Sequence, residues 1–233
     1  MKPLLTILFL LGGLSLSIIG CRDAEPKKGQ RTLGFSGQAL VSPENKKQAI
    51  SMTDSRDGET YPIIGIGKQV WMAENLRYNA EGSIVNPDNP SLAYGRLYDG
   101  ITAQTVCPDG WHLPSDGEWN EMEMTLGMPA ADTAKTFWRG THGKKMKSTF
   151  GWGGAGNGTN NSGFNGLPAG YYFPDSEEGG FSLGGLGTSG GYWSSAEESS
   201  VWIRFLGAPL EGVNRMEDKK SSGSALACRC VKD

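Results

Sequence analysis

Apolar residues punctuate the segment DSRDGETYPIIGIGKQVWMAENLRY at Tyr61, Ile63, Ile64, Ile66, Val70 and Trp71, with Gly65 and Gly67 between them. That pattern predicts a hairpin of two strands, entered through the Asp57-Gly58 turn signal. Further on, Ser115 and Glu118 stand in the S-x-x-E spacing of a capping box, in which each residue satisfies an orphan amide at a helix start. Trp119, Met122 and Leu126 follow at helical spacing, and Gly127 provides the stop. A second helix is expected over Ala130 to Arg139. Strand-like runs close the chain at Val201 to Phe205 and Ala225 to Val231. Between Gly151 and Gly191 lie 15 of the 35 glycines, so this stretch, which includes NGTNNSGFNGLPAGYY, reads as a long loop region with little regular structure. No internal repeat is evident.

The first residues add a location. MKPLLTILFLLGGLSLSIIGC joins a basic start at Lys2 to an apolar run and ends in Ile18-Ile19-Gly20-Cys21, the form of a lipobox. A membrane-spanning helix is the weaker reading, because Gly12, Gly13, Ser15 and Ser17 interrupt the run short of the ~20 apolar residues required. Residues 1–20 are therefore expected to be a lipoprotein signal peptide and Cys21 the lipidation site. Residues 21–50 read as a polar tether and 51–233 as the folded domain. Several acyl chains at ~0.8 kcal/mol per buried methylene would hold such a protein stably to a membrane. The expected localisation is the outer membrane, facing the periplasm or displayed at the cell surface.

Export makes disulfides available. Setting Cys21 aside leaves Cys107, Cys228 and Cys230, one pair and one spare thiol. Cys228 and Cys230 share one face of an extended strand and do not bridge each other easily, so Cys107 pairs with one of them. The formal charge of -3, one unit more negative once Lys2 leaves with the signal, offers nothing to nucleic acid.

Tested as chemistry, most motifs fail. Gly151 to Gly156 spells G-x-G-x-x-G, but KKMKSTF before it and NGTNNSG after it do not supply the strand and helix of a dinucleotide site. Gly187-Thr-Ser189-Gly-Gly191 spells G-x-S-x-G, yet both histidines precede it, against the hydrolase order. Two histidines and one free thiol do not make a closed zinc site, and Asp54-Ser-Arg-Asp57-Gly58 lacks calcium-loop spacing. The sequence thus implies no metal, no cofactor and no enzyme. His112, with no carboxylate pairing visible, is expected to be a locally bonded structural residue, and His142 an exposed loop residue. Trp71, Trp111, Trp119, Trp193 and Trp202 are expected in the core. Trp138 and Trp152, flanking the amide-rich stretch, are the surface candidates for stacking on a sugar ring.

Taken together, DSRDGETY, IGKQVWMAENLRY, GRLYDGITAQTVCPDGWHLPSDGEW, GFNGLPAGYY, GGYWSSAE and the terminal CRCVKD resemble the Fibrobacter succinogenes major paralogous domain, in order from Asp54 to Asp233. That family occurs in exported proteins and lipoproteins of Bacteroidota and Fibrobacterota. The resemblance implies an α+β, C-type-lectin-like domain: two helices, small antiparallel sheets, a long glycine-rich loop region, and paired first and last strands. It also implies a Cys107–Cys230 disulfide, with Cys228 the free thiol. HLPSDGEW is similar to a segment of formylglycine-generating enzymes, whose active-site cysteine pair has no counterpart here. The E-P-N, Q-P-D and W-N-D triplets of calcium-dependent lectins are absent as well. The expected function is a lipid-anchored, non-enzymatic envelope module that presents its loop face to a glycan or protein ligand through Trp138, Trp152, Asn157, Asn160 and Asn161. The alternative is a structural or adhesin-like envelope component that binds another protein.

Overall fold

The computed structural model describes residues 50–174, 181–197 and 200–233. The expected leader, the expected lipidation site Cys21 and the expected tether up to residue 49 lie outside them. In chain order the strands and helices are β1 (Ser51–Thr53), β2 (Thr60–Ile66), β3 (Gln69–Met72), β4 (Leu97–Asp99), α1 (Gly100–Ala103), β5 (Trp111–His112), α2 (Asp116–Thr125), β6 (Phe137–Arg139), α3 (Gly143–Met146), β7 (Ala169–Pro174), β8 (Phe181–Leu186), β9 (Ser189–Glu197), β10 (Ser200–Gly207), β11 (Val213–Lys219), β12 (Ala225–Ala227) and β13 (Val231–Lys232). The described fold is α+β and dominated by its sheets.

The expected hairpin forms from β2 and β3, with Ile64 opposite Trp71 and Gly67 at φ 63 in the turn. The smaller sheet has the order β1-β2-β3-β13-β5, so the C-terminal strand lies inside the sheet built by the start of the domain. Val231 pairs with both Trp71 and His112. The larger sheet has eight strands, in the order β4-β12-β7-β9-β10-β11-β6, with β8 on β7. Expectation had the sheets small and antiparallel; here β9 also runs parallel to β7 and β12.

Helix α2 carries the expected capping box between Ser115 and Glu118. It lays Trp119 and Met122 into the core, where Trp71 and Trp119 meet at 5.0 Å and Phe164 and Tyr192 at 5.4 Å between ring centroids. The indole N–H groups are satisfied by carbonyls: Trp119 donates to Trp193, and Trp193 donates to Tyr98. Trp71, Trp119 and Trp193 are fully buried, whereas Trp111 and Trp202 are half-buried.

Three expectations about elements are corrected. Ala130 to Arg139 is not a helix. A single 3-10 turn, Ala130–Asp132, follows Pro129, and Phe137–Arg139 is an edge strand on β11. Phe137 at φ 61 is outside helical space, and burying Arg139 decides the matter, as the next section describes. The glycine-rich stretch is more regular than expected: β7, β8 and the start of β9 arise within it, while residues 151–168 run in turns and loops. Its glycines make room for a ring: a Cβ at Gly184 or Gly185 would approach the Tyr171 ring to 2.9 or 2.7 Å. Finally, Ala225 to Val231 is two strands in two sheets. Between them Arg229 turns inward, donating to Asn75 Oδ1 and to the carbonyls of Met72, Phe164 and Asn165. Full burial pulls its pKa down to about 10.

Cys107 and Cys230 form the disulfide, 123 residues apart, and Cys228 is a buried free thiol.

Candidate functional site

The construction begins inside the protein. Asp116, Asn120 and Glu123, at i, i+4 and i+7 on α2, face β10 and β11 and meet three arginines. Glu123 Oε1 accepts from Arg139 Nη2 at 2.8 Å and Arg204 Nε at 2.7 Å, while its Oε2 lies 2.9 Å from His142 Nε2. Asp116 accepts from Arg204 at 2.7 Å and, through both oxygens, from Arg215 at 2.9 and 2.8 Å. Trp202 covers Arg215, whose guanidinium carbon is 3.3 Å from the ring centroid. Burial alone would raise the Glu123 pKa, but the His142 hydrogen bond and the charges of Arg204 and Arg139 overcome it and leave it lowered. His142 is therefore buried, contrary to expectation: its ring fills the space a side chain at Gly140 would need, with Nδ1 2.5 Å from the Cβ position there.

Arg139 thus fixes β6 from within, and its neighbours are left outside. Phe137 is 68% exposed and Trp138 43% exposed. The Trp138 ring rests on Gly207, where a Cβ would come within 2.8 Å of Cη2, and Leu210, 42% exposed, stands beside it. The link from β10 to β11 that carries Gly207 and Leu210 passes through a cis Ala208–Pro209 bond. Lys147 holds it from below, donating to the carbonyls of Gly207 at 3.1 Å and Leu210 at 2.8 Å. Lys147 is buried, and desolvation lowers its pKa.

Pro209 and Glu211 of this link also line a cleft of about 80 Å³, together with Lys144, Lys147, Ala155, Gly156 and Asn157. Lys144 Nζ pairs with Glu211 at 2.6 Å. Two wider, open hollows lie elsewhere, at the ends of β10 and β11. One, of about 380 Å³, is lined by Ser200, Glu217, Asp218 and Lys219; the other, of about 340 Å³, by Phe173, Pro174, Ile203 and Met216 among others. Neither has an exposed indole.

The expected ligand contacts separate accordingly. Trp138 and Asn157 flank the 207–211 link and are both exposed. Trp152 is not a surface residue: it is 4% exposed, its indole donates to Ser148 Oγ and the Gly166 carbonyl, and its backbone N–H donates to Asn157 Oδ1. Asn160 is half-buried, and its Oδ1 accepts from the Asn165 N–H at 2.7 Å. Asn161 is exposed but outside the cleft lining. The amide-rich loop is laced to α3 and the residue after it through backbone bonds from Thr159, Asn160, Ser162 and Gly166 to the carbonyls of Lys144, Lys147, Lys145 and Met146. The sequence reading missed Phe137, Lys144, Lys147, Pro209, Leu210 and Glu211.

The other candidate, His112, does have carboxylate partners, contrary to expectation. Nδ1 lies 2.6 Å from Asp233 and Nε2 2.8 Å from Glu118. With both nitrogens engaged, the ring joins the C-terminus to the start of α2. The Asp54 to Gly58 segment is the turn expected of it, with Asp54 gripping Arg56 at 2.6 Å.

The family model described as the Fibrobacter succinogenes major domain matches residues 64–232. The chain belongs to this family. The match runs from within β2 to β13, so the central sheet pairing, the buried ion network and the Trp138 face all lie inside the Fibrobacter succinogenes major domain. No curated protein and no solved structure matches the chain.

Proposed function

We propose that this Fibrobacter succinogenes major domain protein is a lipid-anchored envelope module, with a C-type-lectin-like framework, that binds a glycan and catalyses nothing. The lipobox at Cys21 supports the anchor and outer-membrane placement. The single observation that carries the binding reading is a rigidly seated, solvent-facing indole, Trp138, sharing one backbone link with a polar cleft at Asn157. A flat aromatic face beside convergent polar groups is what a sugar ring requires. Backbone strain gathers there too, with Phe137 at φ 61 and Ala155 at φ 59. A non-catalytic role fits the histidines: His112 has both nitrogens occupied by carboxylates, and His142 is buried against Glu123.

The exposed Phe137, Trp138 and Leu210 side chains favour a second reading, an adhesin-like component that grips a protein partner. A glycan-array screen of the chain and its Trp138→Ala variant separates the two. The binding reading expects glycan retention by the parent and its loss in the variant, with the thermal transition unchanged. An array blank for both proteins would transfer the assignment to a protein ligand.

A further inference from the structure

The cleft beside Trp138 has an unbalanced charge. Lys144 and Lys147 line it with one carboxylate, Glu211, which is drawn to Lys144, while the Lys147 ammonium lies 5.2 Å from the Trp152 ring centroid. Lys147 is 2% exposed and has no carboxylate within ion-pair distance among the described residues. Two of its three N–H donors go to the carbonyls of Gly207 and Leu210. A buried cation without a counter-ion is costly, and a ligand that brings the opposite charge relieves that cost. Size narrows the choice. At about 80 Å³ the cleft is far below the ~300 Å³ or more of ordinary small-molecule pockets, so it holds a substituent and not a ring.

Resting on the glycan reading above, we infer that the ligand is an acidic glycan of the uronic-acid class, whose carboxylate enters the cleft between Lys147 and Asn157 while a sugar ring lies against Trp138.

Calorimetric titration of the full chain in detergent with a galacturonate trimer, and with its fully methyl-esterified form, tests this. The ester keeps the rings and removes the charge. The free acid is expected to bind on the order of tenfold more tightly than the ester, consistent with a hydrogen bond to a charged group, and added salt should narrow the difference. Lys147→Met should remove that preference. Because Lys147 also braces the link, the exposed Glu211→Gln is the second variant. Relieving repulsion there should tighten the acid about two- to five-fold and so widen its preference over the ester. Equal affinity for acid and ester overturns the acidic-ligand inference and leaves glycan binding standing. A neutral glycan retained on the array with neither trimer bound does the same. No retention of any glycan, acidic or neutral, overturns both.

Discussion

His112 shows how one side chain can tie two distant segments. Burial of its ring disfavours the charged form, yet the hydrogen bonds to Asp233 and Glu118 outweigh that and place its pKa above the ordinary 6.5. A raised folded-state pKa means that the protonated ring stabilises the fold fully below about pH 6.5, and that this contribution is lost as the pH rises through the folded value. His112→Gln should therefore be less stable than the parent at about pH 6, with the gap shrinking by about pH 9, as measured by urea denaturation. A gap independent of pH would contradict the assignment. Glu118 belongs to the same clasp but also caps α2 through Ser115. The capping role was legible from S-x-x-E because it is local in sequence. The His112–Asp233 contact was not, because the two residues are 121 apart in sequence.

The same limit applies to the elements. β2, β3 and α2 were legible from local signals: apolar β-formers on either side of a glycine turn for the hairpin, and a capping box followed by Trp119 and Met122 on one buried face for the helix. β6 was not. Nothing in FWR distinguishes an edge strand from the last turn of a helix until Glu123 is known to hold Arg139. In α2 itself, Asp116, Asn120 and Glu123 read as a solvated stripe by their type. They are instead the face that meets Arg204 and Arg215 across the sheet, and the sequence separations of 88 and 99 residues hide that contact. Neutralising Glu123 leaves the buried Arg139 with no carboxylate partner and strips Arg204 of one of its two, so Glu123→Gln should cost about 3 to 5 kcal/mol of unfolding free energy. It should also loosen β6, read as faster amide exchange at Trp138 and Arg139. A loss below about 1 kcal/mol would mean the charges are solvated. The glycine-rich stretch misled for a related reason: its glycines serve close approach to Tyr171 within strands, not loop freedom alone.

For the whole molecule, the topology was legible only through the family resemblance, which paired IGKQVWMAENL with the chain end and Cys107 with Cys230. In the chain-entropy model a loop of 123 residues makes that crosslink worth roughly 5 kcal/mol. It closes the domain where β13 enters the smaller sheet. Of the expected ligand contacts, Trp138 and Asn157 are exposed, Trp152 is buried with its backbone N–H on Asn157, and Lys144 and Lys147 line the proposed cleft. What remains decisive is whether Trp138 and that cleft are where a ligand sits. The most direct measurement is a chemical-shift map of the isotope-labelled chain titrated with neutral and uronate trisaccharides. The account predicts perturbations concentrated at the Trp138 indole, the Asn157 side-chain amide, and the backbone of Gly207 and Leu210. Shifts confined to the hollows near Glu217 and Asp218, or none at saturating sugar, would contradict it.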